Sequence, residues 1–238
     1  MVVSKPTGVM VPRRSLSARE AGFSLIELMV VVIIVGIVAA LAIPAMSVAG
    51  FDRHAYNDAG SIMMLFRSAR TLAVARGGAV LISMSGSSTD RGTFTMYEAV
   101  APNVGGGAAR TPLATCKSPT AWLPLPTAQN PNANVVLVDS VNLNLAGIET
   151  QANIQTSLWQ YASPTSSVAV QFNNGYICYT PLGHTYVVTG IAPVVGNMFD
   201  GALPTVGPLE ARVTRATGGT TRSVLMPPNG MARLFSHT

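Results

Sequence analysis

An unbroken apolar run, Leu28 through Ile43, constrains this chain more than any other feature. From Phe23 to Ile43 the only polar side chains are Ser24 and Glu27. A helix over those positions reaches about 31 Å, the thickness of a bilayer core. Its Leu, Ile and Val residues favour insertion by roughly 3 to 7 kcal/mol. Glu27 opposes this by less than the ~3 kcal/mol of a mid-helix charge, because it sits near one end. Arg13, Arg14 and Arg19 precede the run and favour a cytoplasmic amino-terminal side. The first 22 residues are polar and basic and read as a leader, with Met10 as a second candidate start.

Three readings fit the apolar block. One is a plain signal anchor. Another is a secretory signal peptide cleaved after Ser47-Val48-Ala49, although its apolar region exceeds the usual length. The third starts from Glu27, which neither of the others explains. A carboxylate in an apolar helix needs a partner. A free amine on Phe23, exposed by cleavage after Gly22, would supply one. That amine points away from its own fifth residue, so the natural partner is the acid of a neighbouring copy.

Ala21-Gly22-Phe23-Ser24-Leu25-Ile26-Glu27-Leu28, with the apolar run and Pro44, resembles the amino-terminal signal of type IV pilins and type II secretion pseudopilins. The resemblance covers about residues 21–48. It implies cleavage by a prepilin peptidase between Gly22 and Phe23, N-methylation of Phe23, and Glu27 as the carboxylate that guides subunit assembly. It also implies a pilin fold: an α+β chain whose long amino-terminal helix spans the membrane with its first half and packs by its second half on a mostly antiparallel sheet. The expected divisions are a leader (1–22), a transmembrane and assembly half-helix (23–48), and a periplasmic part (49–238).

Pro44 is expected to kink the helix. Beyond it, Ala55, Ala59, Ile62, Phe66, Ala69 and Ala73 recur at spacings of three and four, an apolar stripe. Asp52, Arg53, Asn57, Asp58, Arg67 and Arg70 lie largely off that stripe. Gly77-Gly78 provides a stop. One helix from about Ser24 to Arg76 is therefore expected.

After Gly78 the pattern changes to strands, expected at 79–85, 93–100, 134–141, 168–172, 176–179, 184–189, 210–216, 222–226 and 231–235. Asn173-Asn174-Gly175 reads as a hairpin turn. Two Pro/Gly-rich excursions, 101–133 and 190–208, interrupt the strands. Within the pilin superfamily this tail resembles the GspH/FimT-type minor subunits. The resemblance rests on Ala69-Arg70-Thr71-Leu72-Ala73 with Arg76, Phe172-Asn173-Asn174-Gly175, and the closing Arg222–Met226 segment with Gly230. Thr71-Leu72 stand where that family commonly has Ser-Glu.

Charged residues are only 11% of the chain, and the leader holds most of the +5 net charge. Charge-driven disorder and a chain-wide basic surface are both excluded. Two cysteines and three histidines are too few for a zinc module. No nucleophile elbow, Walker loop or zinc-protease motif is present, so no enzyme and no cofactor is expected. Cys116 and Cys178 lie on the side of the membrane where disulfides persist, and either a bridge or two buried thiols fits them. Arg212, Arg215, Arg222 and Arg233 are candidates for a DNA-contacting patch. In FimT-type proteins a Gly-Arg-x-Arg element makes that contact. Here the stretch is Gly230-Met231-Ala232-Arg233, without the first arginine.

The resemblance implies a minor pilin or pseudopilin, anchored in the inner membrane and built into a pilus or a periplasmic pseudopilus. Its partners would be prepilin peptidase, other pilins, the assembly platform and the bilayer. A tip module acting as adhesin or DNA receptor, and a protein secreted after Ala49, are the alternatives.

Overall fold

The computed structural model describes residues 23–87, 90–101, 111–117, 122, 125, 134–145, 154–190, 199, 203–215 and 220–237. The leader, most of both Pro/Gly-rich excursions and the 216–219 turn lie outside the described residues. Two compact units divide the chain after Met46. Helix α1 (Leu25–Arg76) is assigned without a break through Pro44 and contributes to both.

In the first unit, Ser24 caps α1. Its carbonyl accepts from the backbone N–H groups of Glu27 and Leu28, and its Oγ accepts from Glu27 N at 3.3 Å. Every residue from Phe23 to Ala42 is exposed. Leu25–Ala42 has a mean hydropathy of 3.0 and is long and apolar enough to cross a membrane.

Among the described residues, the second unit combines the rest of α1 with ten strands, all antiparallel, in two five-stranded sheets. The first sheet is ordered β3 (Val135–Asn142), β2 (Asp90–Ala99), β1 (Val80–Ser87), β6 (Asn174–Tyr179), β7 (Thr185–Thr189). The second is ordered β10 (Arg233–His237), β9 (Thr221–Met226), β8 (Leu209–Arg215), β4 (Ile154–Tyr161), β5 (Ala169–Phe172). The sequence pattern suggests one sheet where the chain makes two.

All six residues of the apolar stripe on α1 are buried. They share one cluster with Val80, Ile82 and Phe94 of the first sheet and Leu158, Ala211 and Val224 of the second. Phe66 meets Phe94 edge to face, with ring centroids 6.3 Å apart. Arg67 and Arg70 donate to the carbonyls of Ala232, Pro228 and Gly230, which ties the closing turn to the helix. Asp58 is the exception among the residues assigned off the stripe. It is buried and paired with Arg91. Gly77 takes φ +67° and ends the helix in the left-handed region.

A smaller cluster covers the opposite face of the first sheet. Leu81 and Cys178 point there, while Ile82 and Ile177 face the main core. Trp122 Nε1 donates to the Cys116 carbonyl at 2.8 Å, and Cys116 is disulfide-bonded to Cys178.

Asn173-Asn174-Gly175 is not a hairpin turn. β5 pairs with β4, whereas β6 pairs with β1 and β7. The chain crosses between sheets at Asn173, whose carbonyl accepts from Gly86 N at 2.7 Å. Gly175 permits the crossing, because a Cβ there would lie 2.7 Å from the Phe172 ring. The closing strand also begins two residues later than the pattern suggests, at Arg233.

Candidate functional sites

The first candidate site is the start of α1. Ser24 is its N-cap and Glu27 its third helical residue, the spacing of a capping box. The bond formed is from the Glu27 backbone N–H to the Ser24 side chain, and Ser-x-x-Glu is the sequence signal for such a helix start. The acid also lies in the first turn, where the helix dipole favours negative charge. Phe23 precedes the cap and is 81% exposed. Gly22 lies outside the described residues.

The four arginines weighed for DNA contact divide between the two faces of the second sheet. On β8, Leu209, Ala211 and Val213 enter the core, so Arg215 shares their side while Arg212 takes the other. On β9, Val224 and Met226 enter the core, which puts Arg222 on the same side as Arg215. Arg222 lies 5.7 Å from the Tyr56 ring of α1. Arg233 pairs with Leu225 and so joins Arg212 on the outer face.

That outer face is concave, with a cavity of about 710 Å³. Trp159 and Tyr161 of β4 stand on it beside Glu210 and Arg212 of β8. Ser223 of β9 and Phe235 of β10 complete the far side. Glu210 forms the floor and is 5% exposed. Its Oε2 accepts from Tyr161 Oη at 2.5 Å and from Arg212 Nη2 at 2.9 Å. Arg212 Nη2 also donates to Tyr161 Oη at 2.9 Å. The guanidinium sits 4.6 Å from the Trp159 ring centroid, and Trp159 Nε1 donates to Ser157 Oγ at 3.0 Å.

Burial opposes ionisation of Glu210, but the Arg212 donor, the adjacent Ser223 hydroxyl and the Tyr161 donor together outweigh it and hold its pKa below the usual carboxylate value. The same carboxylate pushes the Tyr161 phenol up and, as a hydrogen-bond partner, raises Arg212. The outer face thus carries a fixed, internally neutralised ion pair. The sequence reading missed it because it left 142–167 without a strand, and β4 supplies the two aromatics.

No group of three or more metal-ligating side chains exists among the described residues.

Residues 17–43 match the family model described as the prokaryotic N-terminal methylation motif. The motif supports a type IV pilin-like protein processed by prepilin peptidase, and the match covers the amino-terminal segment alone. No curated protein and no solved structure matches the chain.

Proposed function

We propose that this chain is a minor pilin or minor pseudopilin of the GspH/FimT type. Prepilin peptidase cuts between Gly22 and Phe23, Phe23 is N-methylated, and the mature chain passes from the inner membrane into a filament. The globular part then lies outside the cytoplasm, a setting in which the Cys116–Cys178 bridge persists. One observation carries the reading: a methylation motif over 17–43 that places an acid in the first turn of an exposed, membrane-length apolar helix.

The mechanism is assembly. The Phe23 amine of one subunit attracts Glu27 of another inside an apolar filament core. There a charge pair is strong and an unpaired charge costly. That pairing sets subunit register while the apolar helix faces pack. Pro44 is the position for a kink between the embedded half and the half whose stripe is buried in the globular unit. The excursions at 101–133 and 190–208 would obstruct lateral packing, which favours a capping or priming position over the filament shaft.

Determining the mature amino terminus tests the reading. Methylated Phe23 supports it. A terminus at Gly50 identifies an ordinarily secreted protein, and an intact leader identifies a plain anchor. Either of those results overturns the proposal.

A further inference from the structure

The assembly reading does not use the concave outer face of the second sheet. We propose that this face binds a short neutral oligosaccharide, a property that stands whether or not the chain enters a filament.

A pyranose has an apolar C–H face that settles on an aromatic ring, and an equatorial rim of hydroxyls that need fixed planar donors and acceptors. Trp159 lines the cavity with a half-buried indole whose own N–H is already engaged by Ser157 and over whose ring the Arg212 guanidinium lies, 4.6 Å from the centroid. The part of the ring that Arg212 leaves uncovered offers an apolar contact rather than a hydrogen bond. Phe235, 44% exposed, supplies a second aromatic surface three strands away, about 14 Å across the sheet. Between them lie the Glu210–Arg212 pair and the Ser223 hydroxyl. A cavity of about 710 Å³ falls within the range of ordinary ligand sites.

Two observations point to a ligand beyond shape alone. Ser223 is 2% exposed, lines the cavity, and its Oγ lies beside Glu210 without a well-formed hydrogen bond. A buried hydroxyl in that state is costly unless something donates to it or accepts from it. Glu210 and Arg212 are also locked by Tyr161, so their remaining hydrogen-bonding positions are presented at fixed angles.

Charge selects the class. The Arg212 cation is matched by Glu210 at 2.9 Å, Arg215 and Arg222 lie on the opposite face, and Arg233, on the same face, is not among the residues that line the cavity. A polyanion would meet a buried carboxylate at the floor of the site. A neutral polyhydroxyl ligand meets donors and acceptors in balance.

The test uses the full chain in an amine-oxide detergent, since detergents with sugar headgroups would compete. Tryptophan fluorescence is titrated with malto-, cello- and chito-oligosaccharides, with oligothymidylate and an acidic peptide as comparisons. Trp122 is 1% exposed, so a ligand-induced change reports Trp159. Saturable binding of at least one neutral oligosaccharide supports the proposal. So does a loss of tenfold or more, read by calorimetry, in both Trp159→Ala and Arg212→Lys with melting temperatures unchanged. Trp159→Phe, which keeps a stacking ring, retains binding within a few-fold on a calorimetric readout and covers the case in which Trp159→Ala unfolds β4. Failure of every sugar to saturate, parental binding by Trp159→Ala and Arg212→Lys, or preference for oligothymidylate or the peptide overturns it.

Discussion

Arg91 directs Nε and Nη2 at one oxygen of Asp58, at 3.1 and 2.8 Å, with both side chains almost wholly buried. The pair joins α1 to β2. Burial raises the Asp58 pKa and Arg91 opposes that rise. Removing the cation alone strands a buried acid, so Arg91→Met is expected to cost roughly 3–5 kcal/mol. Asp58→Leu combined with Arg91→Met should cost less than Arg91→Met alone, because no charge is then left unpaired. Without Arg91, Asp58 is raised further. The single variant should therefore be most stable at acid pH and weaken as pH climbs through that value. Chemical denaturation of the detergent-solubilised chain at several pH values measures all three.

Glu210 titrates in the opposite sense. Its pKa is lowered from 4.5 in the folded chain, so the folded state binds fewer protons than the unfolded one. The resulting stability is complete above pH 4.5 and lost as pH falls through the lower folded value. Glu210→Gln should flatten this part of the acid limb relative to the parent. Parallel slopes for parent and variant would exclude a stabilising role for the ion pair.

Gly207 sets the entry to β8. A Cβ there would lie 1.7 Å from the Tyr161 carbonyl oxygen, a backbone atom that cannot step aside alone. The neighbouring Tyr161 N–H donates to the Pro208 carbonyl at 3.0 Å. Gly207→Ala should therefore destabilise by roughly 1–3 kcal/mol. Gly60 is the control, a helical position with open space around its Cα. Gly60→Ala should stabilise by about 0.5–1 kcal/mol.

How much of this was legible depended on whether one face of an element was uniformly apolar. The stripe on α1 announced itself because Ala55 to Ala73 follow the helical repeat, and all six are buried. β4 did not. Its core face mixes Ile154 and Leu158 with buried Thr156, while Trp159 and Tyr161 face outward. Asn173-Asn174-Gly175 has the composition of a tight turn, yet pairing far along the chain makes it a crossing between sheets. Asp58 reads as lying off the apolar stripe, and nothing local shows its burial, because its partner, Arg91, lies on a hairpin 33 residues away. The aromatic face of the second sheet was hidden for the same reason: Trp159 and Arg212 meet only through the β4–β8 register.

The disulfide closes a 62-residue separation between Cys116 and Cys178, and both sulfurs are buried. In the chain-entropy model such a loop contributes roughly 4 kcal/mol. Cys116→Ser with Cys178→Ser should lower unfolding stability by about that amount. Maleimide labelling of the unfolded parent should require reductant, and labelling without it would count against the bridge.

Glu27 has two candidate roles, and three variants separate them. Ser24→Ala removes the cap and should cost the helix start about 1 kcal/mol. Glu27→Gln keeps a side chain suited to a capping box but discards the charge. Glu27→Leu discards both. If attraction to a neighbouring amine drives assembly, Gln and Leu should fail alike: inserted and cleaved, but depleted from sheared filaments. Ser24→Ala should enter filaments nearly as the parent does. A capping role alone reverses the order, with Ser24→Ala impaired and Glu27→Gln normal. Immunoblots of membrane and filament fractions read incorporation, and mass spectrometry of the mature chain verifies cleavage in each variant. Normal incorporation of Glu27→Gln would remove the electrostatic mechanism while leaving the methylation motif unexplained by charge.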